Sequence, residues 1–151
     1  MPSLDYLDLI QCARELCQSP ARGQLMYRRA VLNLLVCNQD DHAKNHSFLQ
    51  NDEGRWDLSP AYDLTFSPHP CNKHSTAFQG YGERPSVEVL ERLGERASYA
   101  SPAKSRAVIR DIIEVVSTFE KVAKDLGVSK PIRKEIAQRL DAQCAHYAVQ
   151  I

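Results

Sequence analysis

Between Pro102 and Gly127 the apolar residues Ile109, Ile112, Val116, Phe119, Ala123 and Leu126 recur at steps of three and four. That is the spacing of one face of an α-helix. Pro102 suits a first helical turn, where its missing N–H is no loss, and Gly127 suits the position just past a last turn. The pattern predicts one long helix over 102–126, whose stripe must be buried on other helices.

Similar stripes predict the partners. Ser3 caps a helix over 4–18, with Leu4, Leu7, Ile10 (or Leu9), Ala13 and Leu16 at helical spacing. Ser19-Pro20 stops it, because proline disfavours helical geometry in the residue before it. A second helix over 24–37 carries Met26, Ala30, Leu34 and Cys37 on one face, widened by Leu25, Leu32 and Leu35. Its last turn is apolar on nearly every side, the mark of a helix end enclosed by other elements. Ser86 caps a helix over 87–97, and Ser129 with Pro131 opens a final one bearing Ile132, Ile136, Leu140, Cys144 and Tyr147.

The middle of the chain reads differently. Runs 46–50 and 55–58 flank Asn51-Asp52-Glu53-Gly54, the signature of a β-hairpin. Residues 59–70 contain three prolines (Pro60, Pro68, Pro70) and are expected to be irregular. A third strand is expected over 74–78, ended by the turn Gly80-Tyr81-Gly82. The expected fold is mainly α: a single domain over residues 1–151, with one small hairpin inserted after the second helix.

Nineteen basic and nineteen acidic residues give zero formal charge, which argues against broad electrostatic binding to nucleic acid or membrane. No apolar run approaches the roughly 20 residues a membrane span needs. The five cysteines are odd in number, scattered, and form no C-x-x-C pair. They read as reduced thiols of a soluble cytoplasmic protein, with Cys12, Cys37 and Cys144 buried as small hydrophobes.

The chemistry-bearing residues lie where the helical pattern lapses. Asp40 and Asn45 stand five apart in Asn38-Gln39-Asp40-Asp41-His42-Ala43-Lys44-Asn45, and Asp63 follows just past the hairpin in Ser59-Pro60-Ala61-Tyr62-Asp63-Leu64. Phosphoryl transfer asks for little covalent work from a protein. It needs a carboxylate to accept a hydroxyl proton and hard oxygen donors to hold Mg²⁺ against phosphates. Asp40 fits the first role; Asn45 and Asp63 fit the second. Each alone reads equally well as a solvated loop residue. An apolar helix feeding the loop and a hairpin directly after it give the three their weight. His42 fits a loop-supporting role and Lys44 a contact to phosphate or substrate, beside the plainer alternatives of a structural histidine and a solvated lysine. His42 and His46 have a zinc-like spacing, but no third ligand is evident. Asp41 puts a second negative charge beside Asp40, which would raise the pKa of one of the pair unless Asp41 points to solvent. Trp56 and Tyr62 read as core or loop anchors.

The run from Asn33 to Leu49 and the run Trp56-Asp57-Leu58-Ser59-Pro60-Ala61-Tyr62-Asp63-Leu64 resemble the C-terminal domain of HipA-type toxin kinases. Those are serine/threonine kinases of bacterial toxin–antitoxin modules, with the pattern D-x-H-x-K-N, a hydrophobic pair, then L-x-P-x-Y-D. The resemblance implies a helical kinase C-lobe, with Asp40 as catalytic base, Asn45 and Asp63 as Mg²⁺ ligands, and ATP as cofactor. An antitoxin, a complementary N-lobe protein and a protein substrate are the partners it implies. It is strong in the middle of the chain, and beyond about residue 90 it is one of general character only.

A protein kinase also covers ATP with a glycine-rich loop and a strand lysine placed before the catalytic loop. Here the first lysine is Lys44, and Gly23 is the sole glycine before the loop. The expectation is therefore a C-lobe whose ATP-covering lobe is absent from this polypeptide, inactive alone. A non-catalytic module that binds an antitoxin or kinase partner, and a helical metal-binding domain, remain as alternatives.

Overall fold

The computed structural model describes residues 4–151. Six α-helices dominate them: α1 (Tyr6–Leu16), α2 (Pro20–Leu35), α3 (Val87–Arg96), α4 (Pro102–Ser117), α5 (Phe119–Asp125) and α6 (Lys130–Ala148). The strands are short: β1 (Leu4–Asp5), β2 (Phe48–Gln50), β3 (Trp56–Leu58) and β4 (Thr76–Ala77). The mainly α fold class is as expected.

Helix α1 starts at Tyr6 because Asp5 caps it, its Oδ1 accepting from the Leu7 N–H at 2.8 Å. The cap expected at Ser3 lies outside the described residues. Pro20 both ends the first helical segment and begins α2 as its first residue, a place where proline's fixed φ is already helical. The two helices are thus joined by three residues, and α1 packs more extensively on α2 than on any other helix. Burial is wider than the stripes suggested: Tyr6 of α1 is fully buried against Asn33 of α2, and Tyr27 of α2 is fully buried toward Tyr99 and Ser105.

The single helix expected over 102–126 is broken. Residue Thr118 separates α4 from α5. The Ser117 hydroxyl donates to the Glu114 carbonyl at 2.6 Å and the Thr118 hydroxyl to the Val115 carbonyl at 2.7 Å, the local back-bonding by which such residues bend or end helices. Gly127 does terminate α5, with φ +79°. Paired bonds from Gly127 N to Lys124 O and from Val128 N to Ala123 O close the end. Beyond the break the stripe weakens, with Leu126 77% exposed, and on α6 the expected stripe residue Ile132 is 52% exposed.

One apolar core joins α1, α2, α3, α4 and the C-terminal half of α6, centred on Ile10, Leu34, Leu90, Leu93, Ile109, Leu140 and Tyr147. Each such aliphatic side chain contributes about 1.5–3 kcal/mol on burial. The β2–β3 hairpin forms as expected, with Phe48 opposite Leu58. Arg22 pairs with Asp57 at 2.5 Å, and Arg29 donates to the Ser59 carbonyl at 2.5 Å, so α2 pins both the hairpin and its exit. The third strand is shorter than expected and pairs in parallel with β1, Leu4 opposite Thr76. Asp5 also accepts from the Gln79 and Gly80 N–H groups, which makes the Gly80 segment a pinned turn, as expected.

Two further expectations fail. Cys12 is exposed, while Cys37 and Cys144 are buried. Trp56 is 38% exposed and so is not a core anchor.

Candidate active site

The buried end of α2, Leu34 and Leu35, delivers the chain into the site as the sequence suggested. Cys37 turns it with φ +54°. The next residues pair in parallel with the segment after Asp63: Gln39 N–H donates to the Ser67 carbonyl at 3.1 Å, and Ser67 N–H to the Cys37 carbonyl at 3.3 Å. Gln39 and Asp41 point inward and Asp40 outward. Gln39 organises the loop beyond, accepting from His69 N–H and donating to Asn72 Oδ1.

Asp40 is left exposed, with His42 Nε2 at 3.9 Å from its Oδ1. Asn45 closes a short 3₁₀ turn (Ala43–Asn45) and donates its Nδ2 to the Asp40 carbonyl at 3.0 Å. One amide hydrogen is thereby engaged within the loop, and Oδ1 is the atom the side chain has for a cation. Asn45 and Asp63 line one narrow cleft, together with Arg29, Asn33, Asn38 and His46. Asp63 has φ +54°, a left-handed conformation that Asp tolerates better than most residues and that clusters at functional sites. Tyr62 is the loop anchor it was expected to be: its hydroxyl donates to the Lys44 carbonyl at 2.6 Å. Lys44 itself is exposed.

The three residues singled out in the sequence therefore sit on two loops that touch. Asn45 and Asp63 share a cleft; Asp40 lies on the Asn45 loop, tied to it through its carbonyl. An amide oxygen and a carboxylate are hard donors of the kind Mg²⁺ takes, usually with waters and substrate phosphates completing its shell. The donor set fits that ion. Among the described residues no cluster of three His, Cys, Asp or Glu forms a metal cage, and the His42/His46 spacing gains no third ligand.

Asp41 corrects the sequence reading. It points neither to solvent nor at Asp40 but is fully buried. Its carboxylate accepts from Tyr6 Oη at 2.7 Å, from Ser75 N–H at 2.9 Å and from Thr76 N–H at 3.1 Å, and it lies 2.9 Å from His74 Nδ1. Its carbonyl accepts from the Thr76 hydroxyl. Burial alone would raise this carboxyl, but the bond and charge of His74, with the Tyr6 and Thr76 bonds, hold it below its ordinary range. His46, edge-on to Tyr6 with ring centroids 5.8 Å apart, has its pKa lowered by burial. His42 makes no bond to a backbone carbonyl, and its Nδ1 is buried without a partner. A wider cleft of ≈ 850 Å³ opens beside it, lined by His69, Lys73, His74, Tyr81 and Arg84 among others.

Sequence reasoning missed Asn33, Asn38, Tyr6 and His74. Asn33 Nδ2 donates to Tyr6 Oη at 2.8 Å; Asn38 Nδ2 donates to Asn33 Oδ1 at 3.1 Å and to the Asp63 carbonyl at 3.2 Å; Ser67 Oγ donates to Asn38 Oδ1 at 2.7 Å. The available signal was a polar residue, Asn33, in the buried end of an otherwise apolar helix, since buried amides are there for their partners. Nothing local marked Tyr6 or His74, which meet Asp41 from 35 and 33 residues away.

Comparison with known proteins bears on the family of the chain. A "Putative kinase Y4dM" of Sinorhizobium fredii is 29% identical over 116 residues, which is 76% of this chain and 28% of that protein's length. The chain thus spans little more than a quarter of that relative. The family described as "HipA-like C-terminal domain" matches residues 2–146. With nearly the whole chain inside that match, the protein belongs to the HipA-like C-terminal domain family.

Proposed function

We propose that these residues form the base-and-metal half of a phosphotransfer site, in the catalytic lobe of a HipA-type serine/threonine kinase from a cytoplasmic toxin–antitoxin module. Asp40 is the base that accepts the proton of the incoming hydroxyl. Asn45 Oδ1 and the Asp63 carboxylate would hold Mg²⁺, which would supply charge neutralisation at the ATP phosphates when bound. Lys44 and His42 stand beside the base, Lys44 for a phosphate contact and His42 to orient Asp40. The observation that carries the reading is the cleft that Asn45 and Asp63 both line, formed by loops on either side of the hairpin, with the exposed Asp40 on the Asn45 loop and its carbonyl bonded to the Asn45 amide. Five thiols without a disulfide accord with a reducing compartment.

Nothing in 4–151 offers the glycine loop and strand lysine that position ATP in kinases. Phosphate transfer by this chain alone is therefore expected to be absent, and a complementary lobe is expected to restore it. Loss of positioning by itself costs on the order of a hundredfold in rate. The test is calorimetric titration with Mg²⁺–ATP and with Mg²⁺ alone, for the wild type, Asp63→Ala and Asp40→Ala. Nucleotide binding that needs Mg²⁺ and is lost in Asp63→Ala supports the kinase lobe. Cation binding without nucleotide points to a metal-only domain, and no binding of either points to an antitoxin-binding or regulatory module. Autophosphorylation by the wild-type chain alone would refute the expected inactivity.

A further inference from the structure

Four buried polar groups connect the two loops of the site. From Asp41 on the base loop, bonds run to Tyr6 Oη, from there to Asn33 Nδ2, from Asn33 Oδ1 to Asn38 Nδ2, and from that same nitrogen to the carbonyl of Asp63. Asn33, Asn38 and Asp41 are each at most 3% exposed and Tyr6 is fully buried. Buried polar groups of this kind have discrete arrangements, since an unmade bond there has no water to replace it. The chain of bonds ends at a residue held in the left-handed region, φ +54°, a conformation that persists only where its surroundings over-determine it.

We propose that Asn38 is the positioning residue of the cation site: its amide, fixed by Asn33 and Ser67, holds the Asp63 backbone left-handed and so aims the Asp63 carboxylate at Asn45, while Tyr6 and Asn33 tie that geometry to the base loop. The inference rests on the metal-site reading above. Three features support it. Asn38 opens the base loop and reaches the other one, through the Asp63 carbonyl and through the backbone pairing of its neighbours with Ser67. The Ser67 hydroxyl occupies Asn38 Oδ1 at 2.7 Å, which fixes the amide so that its NH₂ faces Asp63. Finally, Asn38 itself lines the cleft that Asn45 and Asp63 share, so it supports the site from beneath.

Mn²⁺ serves as a paramagnetic probe for the cation, its binding followed by water-proton relaxation in the whole chain. Partners that orient metal ligands from behind typically weaken affinity about 10–100-fold when removed, and Asn38→Ala is expected to fall in that range with its circular dichroism unchanged. Leu140→Ala, in the core on α6, is expected to lower the melting temperature and leave the Mn²⁺ affinity as it was. A merely structural Asn38 would behave the same way. Asn38→Ala that keeps wild-type affinity, while Asp63→Ala loses it, overturns the proposal and leaves the metal site standing. Affinity that survives Asp63→Ala overturns the metal site itself and the proposal with it. If Asn38→Ala does not fold, Tyr6→Phe replaces it: the ring packing stays and only the hydroxyl between Asn33 and Asp41 goes. A severalfold loss of affinity is then expected, and no change overturns the proposal.

Discussion

Asp41 Oδ2 and His74 Nδ1 lie 2.9 Å apart in a place closed to water, with side-chain exposures of 0% and 2%. They join the loop that carries Asp40 to the segment just before β4. The neighbouring carboxylates of Asp40 and Asp41 are thereby sorted, one facing solvent and one spent on the fold. Removing the Asp41 carboxylate leaves the buried groups that bond it without their acceptor, a loss of about 1–3 kcal/mol for an unsatisfied buried group. Asp41→Ala is expected to lose that much in urea denaturation at neutral pH. Asp40→Ala, at an exposed position, is expected to stay within about 0.5 kcal/mol of the wild type.

The same site gives stability an acid limb. Asp41 titrates below its ordinary value of 3.8 when folded. Its contribution is therefore fully present above that pH and disappears as pH falls through the lower, folded value. His46 is depressed below 6.5 by burial, so the unfolded chain takes up its proton first, and stability declines as pH falls from 6.5 toward the folded value. Urea midpoints measured from pH 7.5 down to 2.5 should show both declines. Asp41→Asn should remove the lower one and His46→Gln the upper one; unchanged profiles would contradict the burial-based assignment.

Two glycines are held for different reasons. Gly127 ends α5 at φ +79° with open space around it, so Gly127→Ala should cost about 1–2 kcal/mol through backbone strain alone. In Gly94, on α3, an added methyl would run into the Ser105 side chain on α4, and overpacking of that kind typically costs about 1–3 kcal/mol. A double-mutant cycle with Ser105→Gly should show coupling for Gly94→Ala and none for Gly127→Ala.

Thiol reactivity should follow burial. Cys12 and Cys71 are exposed; Cys37 is buried with its pKa pushed up by desolvation, and Cys144 is pushed up to about 11 by desolvation and the nearby Asp141. The thiolate is the reactive form. Maleimide labelling at pH 7 read by mass spectrometry should modify Cys12 and Cys71 first, Cys17 later, and Cys37 and Cys144 only on unfolding.

The helices were legible because their signals are local. Apolar spacing, Pro102 and Pro131 at helix starts and Gly127 at a helix end act within a few residues of themselves, so fold class and hairpin could be read along the chain; Pro20, read as a stop before a helix over 24–37, is instead the first residue of α2, which ends at Leu35. The break at Thr118 was not legible, since a hydroxyl's choice between water and a carbonyl one turn back leaves no trace in the apolar stripe. The residue types of the candidate site stand in the sequence in two short runs of recognisable order, Asp40 and Asn45 in one and Asp63 in the other. What the tertiary structure alone decided is which carboxylate faces inward. Along the chain Asp41 reads as solvent-facing or as a charged neighbour of Asp40. Its burial depends on Tyr6 from α1 and on His74, Ser75 and Thr76 from beyond the hairpin, donors 33–35 residues away. A buried carboxylate is stable only where such donors converge, and convergence belongs to the folded chain.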